Sequence, residues 1–423
     1  MTNNTGNNRT LKIEKYGSFL VITGFLLFYF HAAFNADGQN IFAPAVAERL
    51  HLDSGIVLSM NSIAGLVGVL ISVLAGQLNR VIGPRIVCGS TFLAGGFAYI
   101  LAANAPNIAI YTVAMCFSFG GFSAALFVGF GALNANWFPK KLGAVMGLVT
   151  IGAGLSTMTY IAGFNKLINI IGVGKAAFIP GIICIIAAIL GLVIHRDTPA
   201  ERNINPDNVS DEVYKSEYAS DELRENAAKW TIFQLLHKKE TWLCAIAGGL
   251  LLLCQMGIMS QLVVRNMEIG FSQTAAIAVM SIIAVFGIIC APITGMLVTK
   301  FGVKRVAISV CILMALAMFL NASGVRPLYW ISLFLIGITC TAPPNCAKSL
   351  PGSVFGRDGF AVANSVIFPI MSAIQMSNFA VNGLVTLMFG SLTVSFLCFG
   401  IMILIAMGLI ALVQERKYNP DYV

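Results

Sequence analysis

The chain is a succession of long apolar runs separated by short polar turns. A helix needs roughly 20 apolar residues to cross the hydrocarbon core of a bilayer. Twelve runs of about that length are present, near 17–43, 55–78, 86–103, 108–134, 143–168, 176–195, 241–263, 271–298, 305–322, 328–347, 361–387 and 391–413. The pattern predicts an all-α integral membrane protein of twelve transmembrane helices. An even number of spans puts both chain ends on one side. The single long polar stretch, 196–240, falls between the sixth and seventh runs. It holds ten of the eighteen acidic residues, with Pro199 and Pro206 near its start. Low hydrophobicity and dense charge predict a flexible linker, with a short surface helix around 221–229. The expected organisation is a six-helix half at 1–195, a linker at 196–240 and a second six-helix half at 241–423.

The polar turns repeat. Gly76, Leu78, Gly83 and Arg85 recur as Gly295, Leu297, Gly302 and Lys304, each pair separated by 219 residues. A second pair of segments follows spans four and ten. There Phe138, Lys140, Ala144 and Val145 match Phe355, Arg357, Ala361 and Val362 at an offset of 217. Repeats of this kind mark two pseudo-symmetric membrane halves, which enclose a pathway near the bilayer midplane.

Composition adds exclusion and orientation. Hydrophobic residues make up 57% of the chain and charged residues 10%, and the mean hydropathy is +0.84. A water-soluble surface needs more charge than that. The net charge of +8 is spread over short loops, so it forms no nucleic-acid-binding patch. With the chain ends in the cytoplasm, 21 of the 26 Lys and Arg residues lie on the cytoplasmic side, which is the orientation the positive-inside rule selects. The polar first 16 residues and the length of the first apolar run predict a retained span rather than a cleaved signal peptide. No P-loop is present, so ATP is not expected as a partner. No cofactor, metal or catalytic cluster is expected among the spans, and the ten cysteines read as small buried hydrophobes.

Two six-helix halves, each with Gly-x-Leu-x-x-x-x-Gly-x-(Arg/Lys) after its second helix, resemble the major facilitator superfamily. The segment Gly120-Gly121-Phe122, followed by Trp137-Phe138-Pro139-Lys140-Lys141-x-Gly143-x-x-x-Gly147 and Gly152-x-Gly154, resembles the oxalate–formate antiporter and monocarboxylate porter groups within it. The resemblance implies the major facilitator fold and a monomeric secondary transporter in the plasma (inner) membrane. It implies an alternating-access cycle that moves a small organic anion, a monocarboxylate first of all, on a proton or counter-substrate gradient. It also implies a gating role for Gly76, Arg80, Gly83 and Arg85 and for Gly295, Gly302, Lys304 and Arg305. Neither copy holds the usual acid of that motif: Asn79 and Thr299 stand in the stretches where it is expected. There is no Lys or Arg in 271–299 or in 359–387, where carboxylate porters of these groups carry cations, and none in 55–78, where nitrate porters do. Dianions and nitrate are therefore disfavoured, and export of neutral or amphipathic molecules stands as the alternative. A non-transporting sensor on the same fold would need a signalling domain that the linker is too short to hold.

Few polar residues lie at membrane depth, and each is a functional candidate by its cost there. His31, the only histidine inside a span rather than at its last residue, is placed in the outer half of span one, with Asn35 one turn on. It serves substrate or proton, or is a neutral ring bonded to a neighbouring helix. Asp37 is expected near the outer end of the span, as a proton site or a solvated helix end. Lys348 follows Pro343, Pro344 and Asn345, and either faces the pathway or anchors span ten at the interface. Asn364, Met371, Gln375, Asn378 and Asn382 fall on one face of span eleven. Their amides either hold a carboxylate or bond neighbouring helices. If they do the latter, the site is to be sought around His31, Asn35 and Gln255. Proton coupling is expected to run through His31 or Asp37.

Overall fold

The computed structural model describes residues 15–214, 231–415 and 417–418. The surface helix expected around 221–229 lies outside the described residues. Every described element is helical. Ten helices are long and apolar enough to cross a membrane. An eleventh span is the bent pair Arg326–Thr339 and Ala342–Gly356, and the shorter apolar helix Phe178–Ile194 supplies the twelfth. Large apolar side chains on the outer helices, such as Ile186, Val193, Ile312 and Ile401, are half or more exposed. In water these would form an aggregating patch, whereas against lipid tails they cost nothing.

Local chemistry sets the ends of the helices. Asp53 caps span two by accepting from the Gly55 N–H at 2.7 Å, and Asn107 caps span four by accepting from the Ile110 N–H at 3.0 Å. Gly83 and Gly302, the repeated glycines, adopt φ 86° and 85° between spans two and three and between spans eight and nine. That backbone strains any residue with a Cβ, which explains why the repeat keeps glycine at both positions.

Several spans are broken. Span one is Lys15–Asn35 followed by Gln39–Leu50, with the break at 36–38. Span seven is Lys239–Met259 and Leu262–Glu268. Span ten bends by 41° at Cys340 and Thr341. Span eleven breaks at Ser377 before Asn378–Phe389, and span four passes through a π-helical segment, Ala124–Phe130. Irregular backbone at membrane depth survives only where protein or a watery cavity satisfies it, so these breaks mark the interior of the molecule. The break also corrects the expected extent of span one. The span runs to Leu50 rather than 43, which places His31 near its middle, and Asp37 sits in an internal break rather than at a helix end.

Spans one to six and spans seven to twelve each bury their own apolar cluster. Ile41 and Ile161 join the second cluster, while Met256, Met376 and Phe379 join the first.

Candidate functional site

The two sets of spans meet mainly toward one face, opposite the one that carries the Gly83 and Gly302 turns. Among the described residues every hydrogen bond between them lies there. The Asn40 amide donates to the Met259 carbonyl at 2.6 Å and accepts from the Val263 N–H at 2.9 Å. Ser62 Oγ donates to the Met376 carbonyl at 2.7 Å and accepts from the Ala380 N–H at 2.6 Å. Gln273 donates to Asn165 at 3.0 Å. The backbones of spans two and eleven nearly touch at Gly55 and Gly383, where a Cβ on Gly383 would fall 2.6 Å from the Gly55 carbonyl oxygen. At the motif face no described hydrogen bond joins the two sets of spans, and several positions there are open. A side chain added at Gly76, Gly147 or Gly295 would meet no atom within 4 Å, and Val81 and Met296 are 80% and 64% exposed. Among the described residues, hydrogen bonds therefore bridge the halves at one end of the space between them and not at the other.

Inside that space the aromatic ring of Phe127, on the π-helical segment of span four, gathers three side chains. His31 meets it edge-on at 5.6 Å, Phe368 of span eleven at 5.3 Å, and the Lys348 ammonium lies 5.4 Å from its centroid. Lys348 is exposed, and the neighbour from the other half shows that it is exposed to the gap between halves. It has no ion-pair partner among the described residues. His31 Nε2 is buried with no hydrogen-bond partner. An unpaired ammonium near the middle of a membrane protein is costly, and a cation–π contact returns only about 0.5–2 kcal/mol of that cost. The arrangement is a positively charged, aromatic-walled recess that can hold an anion with an apolar skeleton.

The other sequence candidates divide. Asn35 is buried toward span four, accepts from Ser118 Oγ at 3.4 Å and leaves its own Nδ2 unpartnered. Asp37 accepts from Thr157 Oγ1 of span five, which ties the span-one break to its neighbour. Gln255 lines a small void of about 10 Å³ with Met259, Met318, Thr339 and Cys340. The span-eleven amides turn largely toward span seven. Gln375 Nε2 lies 3.4 Å from Met256 Sδ, Asn382 donates to the Gly257 carbonyl at 2.9 Å, and Asn378 donates back to the Gln375 carbonyl at 2.7 Å. Met371 packs against Gly248. The stripe thus serves the packing of spans seven and eleven in this conformation. Asn364, one turn before Phe368, stays half-buried without a described hydrogen bond.

The repeated glycine and basic motif finds its acids elsewhere in the chain. Asp197 accepts from the Arg85 N–H at 2.7 Å, and Glu415 accepts from the Lys304 N–H at 3.0 Å. The Lys304 ammonium also reaches the Ala411 and Val413 carbonyls. Asp197 and Glu415 are 218 residues apart, each just beyond the last helix of its half. They are a third instance of the repeat, and sequence reasoning missed them because it sought the acid inside the motif. The side chains of Arg80 and Arg305 make no described hydrogen bond.

The beginning of the linker is also more fixed than its composition suggests. Trp137 donates to the Arg196 carbonyl at 3.0 Å, and the Asp207 carboxylate accepts from the Lys140 and Lys141 N–H groups at 2.9 and 3.1 Å. At the other end, Lys417 pairs with Glu240, and that hydrogen bond raises the ammonium above its ordinary range.

Broken helices enclosing a one-sided central recess define a membrane transporter fold. The sequence profile of the Major Facilitator Superfamily matches residues 25–374, and the chain belongs to that superfamily. Its curated relatives include the probable transporter MCH2 of Saccharomyces cerevisiae, 23% identical over 385 residues, with 86% of this chain and 77% of the relative covered. Similar solved structures include a bacterial homologue of the human lysosomal transporter Spinster in an inward-facing, unoccupied conformation, with a TM-score of 0.68, 13% identity and 97% and 99% of the two chains covered. A D-xylose–proton symporter matches at 0.66 and 15% identity over 96% and 99%. A mutant of the nucleoside transporter NupG matches at 0.66 and 14% over 94% and 97%. At these identities the structures speak to the fold alone.

Proposed function

We propose that this protein is a secondary active transporter for a small organic monoanion, a monocarboxylate in the first instance, working by alternating access. The observation that carries the reading is Lys348, an ammonium without an ionic partner among the described residues, exposed beside Phe127. A single cation suits a single negative charge. A substrate carboxylate bound there gains a charge-assisted hydrogen bond of about 1.5–3 kcal/mol, while its carbon skeleton rests on Phe127 and Phe368. A dianion would bring a second charge that no described cation of the recess answers.

The halves, 1–195 and 241–423, then rock about this site, with 196–240 joining them. The distribution of basic residues supports cytoplasmic chain ends in the plasma membrane, so the described conformation faces the cytoplasm. Opening the opposite face requires release of the Asn40 and Ser62 bridges. A proton or counter-substrate gradient supplies the drive, with His31 beside the recess and Asp37 in the span-one break as the proton-carrying candidates. The transporter acts as a monomer, without ATP.

The test is uptake into proteoliposomes of labelled monocarboxylates, dicarboxylates and a neutral sugar, with and without an acid gradient. The reading expects saturable monocarboxylate uptake that responds to the gradient or to internal counter-substrate, and little dicarboxylate uptake. Preferential uptake of the neutral sugar would overturn it.

A further inference from the structure

The two halves differ in one place that the repeat does not explain. Between spans eight, nine and ten a groove of about 530 Å³ opens toward the motif face, walled by Ile293, Leu297, Phe301, Val310, Leu313 and Ile338. By the 219-residue offset, Thr294 and Val306 of its lining correspond to Ala75 and Val87. In the first half those two residues are packed into a closed cluster with Ala124, Ile82 and Val128. The cause lies in span ten. Its counterpart, span four, continues through the π-helical segment and fills the space, whereas span ten bends by 41° at Cys340 and Thr341 and leaves a gap behind span eight.

The chemistry of the gap is two-part. Its polar wall groups are already satisfied within their own helices. Thr294 donates to the Cys290 carbonyl, Ser309 to the Arg305 carbonyl and Thr339 to the Leu335 carbonyl. The interior therefore offers an occupant apolar surface only. At the mouth stands Arg305, exposed and without a described partner. The Lys300 ammonium lies close by, 5.3 Å from the Phe301 ring. Neighbouring Lys304, by contrast, is spent on Ala411, Val413 and Glu415. Span nine packs on spans eight, ten and twelve, and its face at Arg305, Ser309 and Ile312 is exposed on the outer side of the bundle, where lipid lies. The volume is that of a ligand pocket rather than a packing defect, and an apolar void of this size in a bilayer is filled by what surrounds it.

We propose that this groove binds one anionic phospholipid of the leaflet at the motif face, with an acyl chain between spans eight, nine and ten and the phosphate paired with Arg305. The lipid fills the space that the bend of span ten opens, and so supports the bent span whose Lys348 faces the recess. This site is separate from the substrate recess and does not depend on the substrate proposed for it.

The test is native mass spectrometry of the detergent-purified protein titrated with phosphatidylglycerol or phosphatidylcholine. Wild type is expected to retain one phosphatidylglycerol with about fivefold preference over phosphatidylcholine, the gain of one cation at the membrane surface. Arg305→Gln should erase the preference while leaving weak binding of both lipids. Val310→Phe, which fills the groove, should remove that residual binding, and Ser309→Leu at the exposed rim should lower it should Val310→Phe not fold. Lys166→Gln, on the opposite face, should change nothing. Equal retention of the two lipids by wild type, an undiminished preference in Arg305→Gln, or undiminished binding in both groove variants would each overturn the proposal. Displacement of phosphatidylglycerol by inorganic phosphate alone would reduce the site to a phosphate contact and overturn the acyl-chain part.

Discussion

Asn40 is the most direct handle on the sealed face. It lies in the first turn after the break in span one, is 2% exposed, and bridges to both sides of the break in span seven. Asn40→Ala removes two hydrogen bonds between the halves and leaves the Met259 carbonyl and the Val263 N–H unpaired for as long as that face stays closed. Each bond is worth about 0.5–1.5 kcal/mol net, so the closed arrangement loses about 1–3 kcal/mol. In the opened arrangement water reaches the same two groups, and the loss is not felt. The equilibrium therefore moves toward opening by roughly 5- to 150-fold. The assay is pulsed electron–electron distance measurement in a cysteine-free background. One spin-label pair goes at His51 and Met267, both exposed near the sealed face, and a second at Val81 and Lys300 on the motif face. Asn40→Ala should add a longer component to the first pair and a shorter one to the second. If both distributions match the parent protein, Asn40 does not latch the halves and the reasoning fails.

Three further predictions follow from other parts of the structure. Asp197→Ala and Glu415→Ala each remove the capping of a helix in a different half, so each should lower the thermal midpoint by the equivalent of about 0.5–2 kcal/mol, and the double variant should be close to additive; strong coupling between them would contradict separate roles. A cysteine at Ser210 should resist a membrane-impermeant thiol reagent in intact cells while one at Asn104 reacts, and the reverse pattern would invert the orientation. Asp37→Asn with His31→Gln should flatten the dependence of uptake on an acid gradient; full retention of that dependence would make both residues structural.

The spans were legible in the sequence because lipid imposes a length on apolar runs, and the repeat announced two related halves. The breaks were not legible. Ala36, Asp37 and Gly38 lie inside one apolar run, and the interruption there depends on the close approach of spans five and seven. The span-eleven amides had the right period for a lining face, yet a period does not say which neighbour the face meets, and span seven took it. Lys348 was visible as a residue but ambiguous in place. The 41° bend turns its segment of span ten, and only the packed structure puts it beside Phe127. The pairing of Asp197 with Arg85 and of Glu415 with Lys304 joins residues more than 100 positions apart. Its sequence signal, the shared offset of 218, lay in two short segments that carry no other motif.

The central claim is that one ammonium in the recess answers one negative charge on the substrate. It is tested most directly by the kinetics of monocarboxylate uptake in proteoliposomes for wild type, Lys348→Arg and Lys348→Gln at matched protein content. Loss of a charge-assisted bond of about 1.5–3 kcal/mol corresponds to a fall of roughly 10- to 150-fold in kcat/KM. The account predicts that fall for Lys348→Gln and most of the activity kept in Lys348→Arg. Monocarboxylate uptake by Lys348→Gln at the wild-type rate and affinity would contradict it.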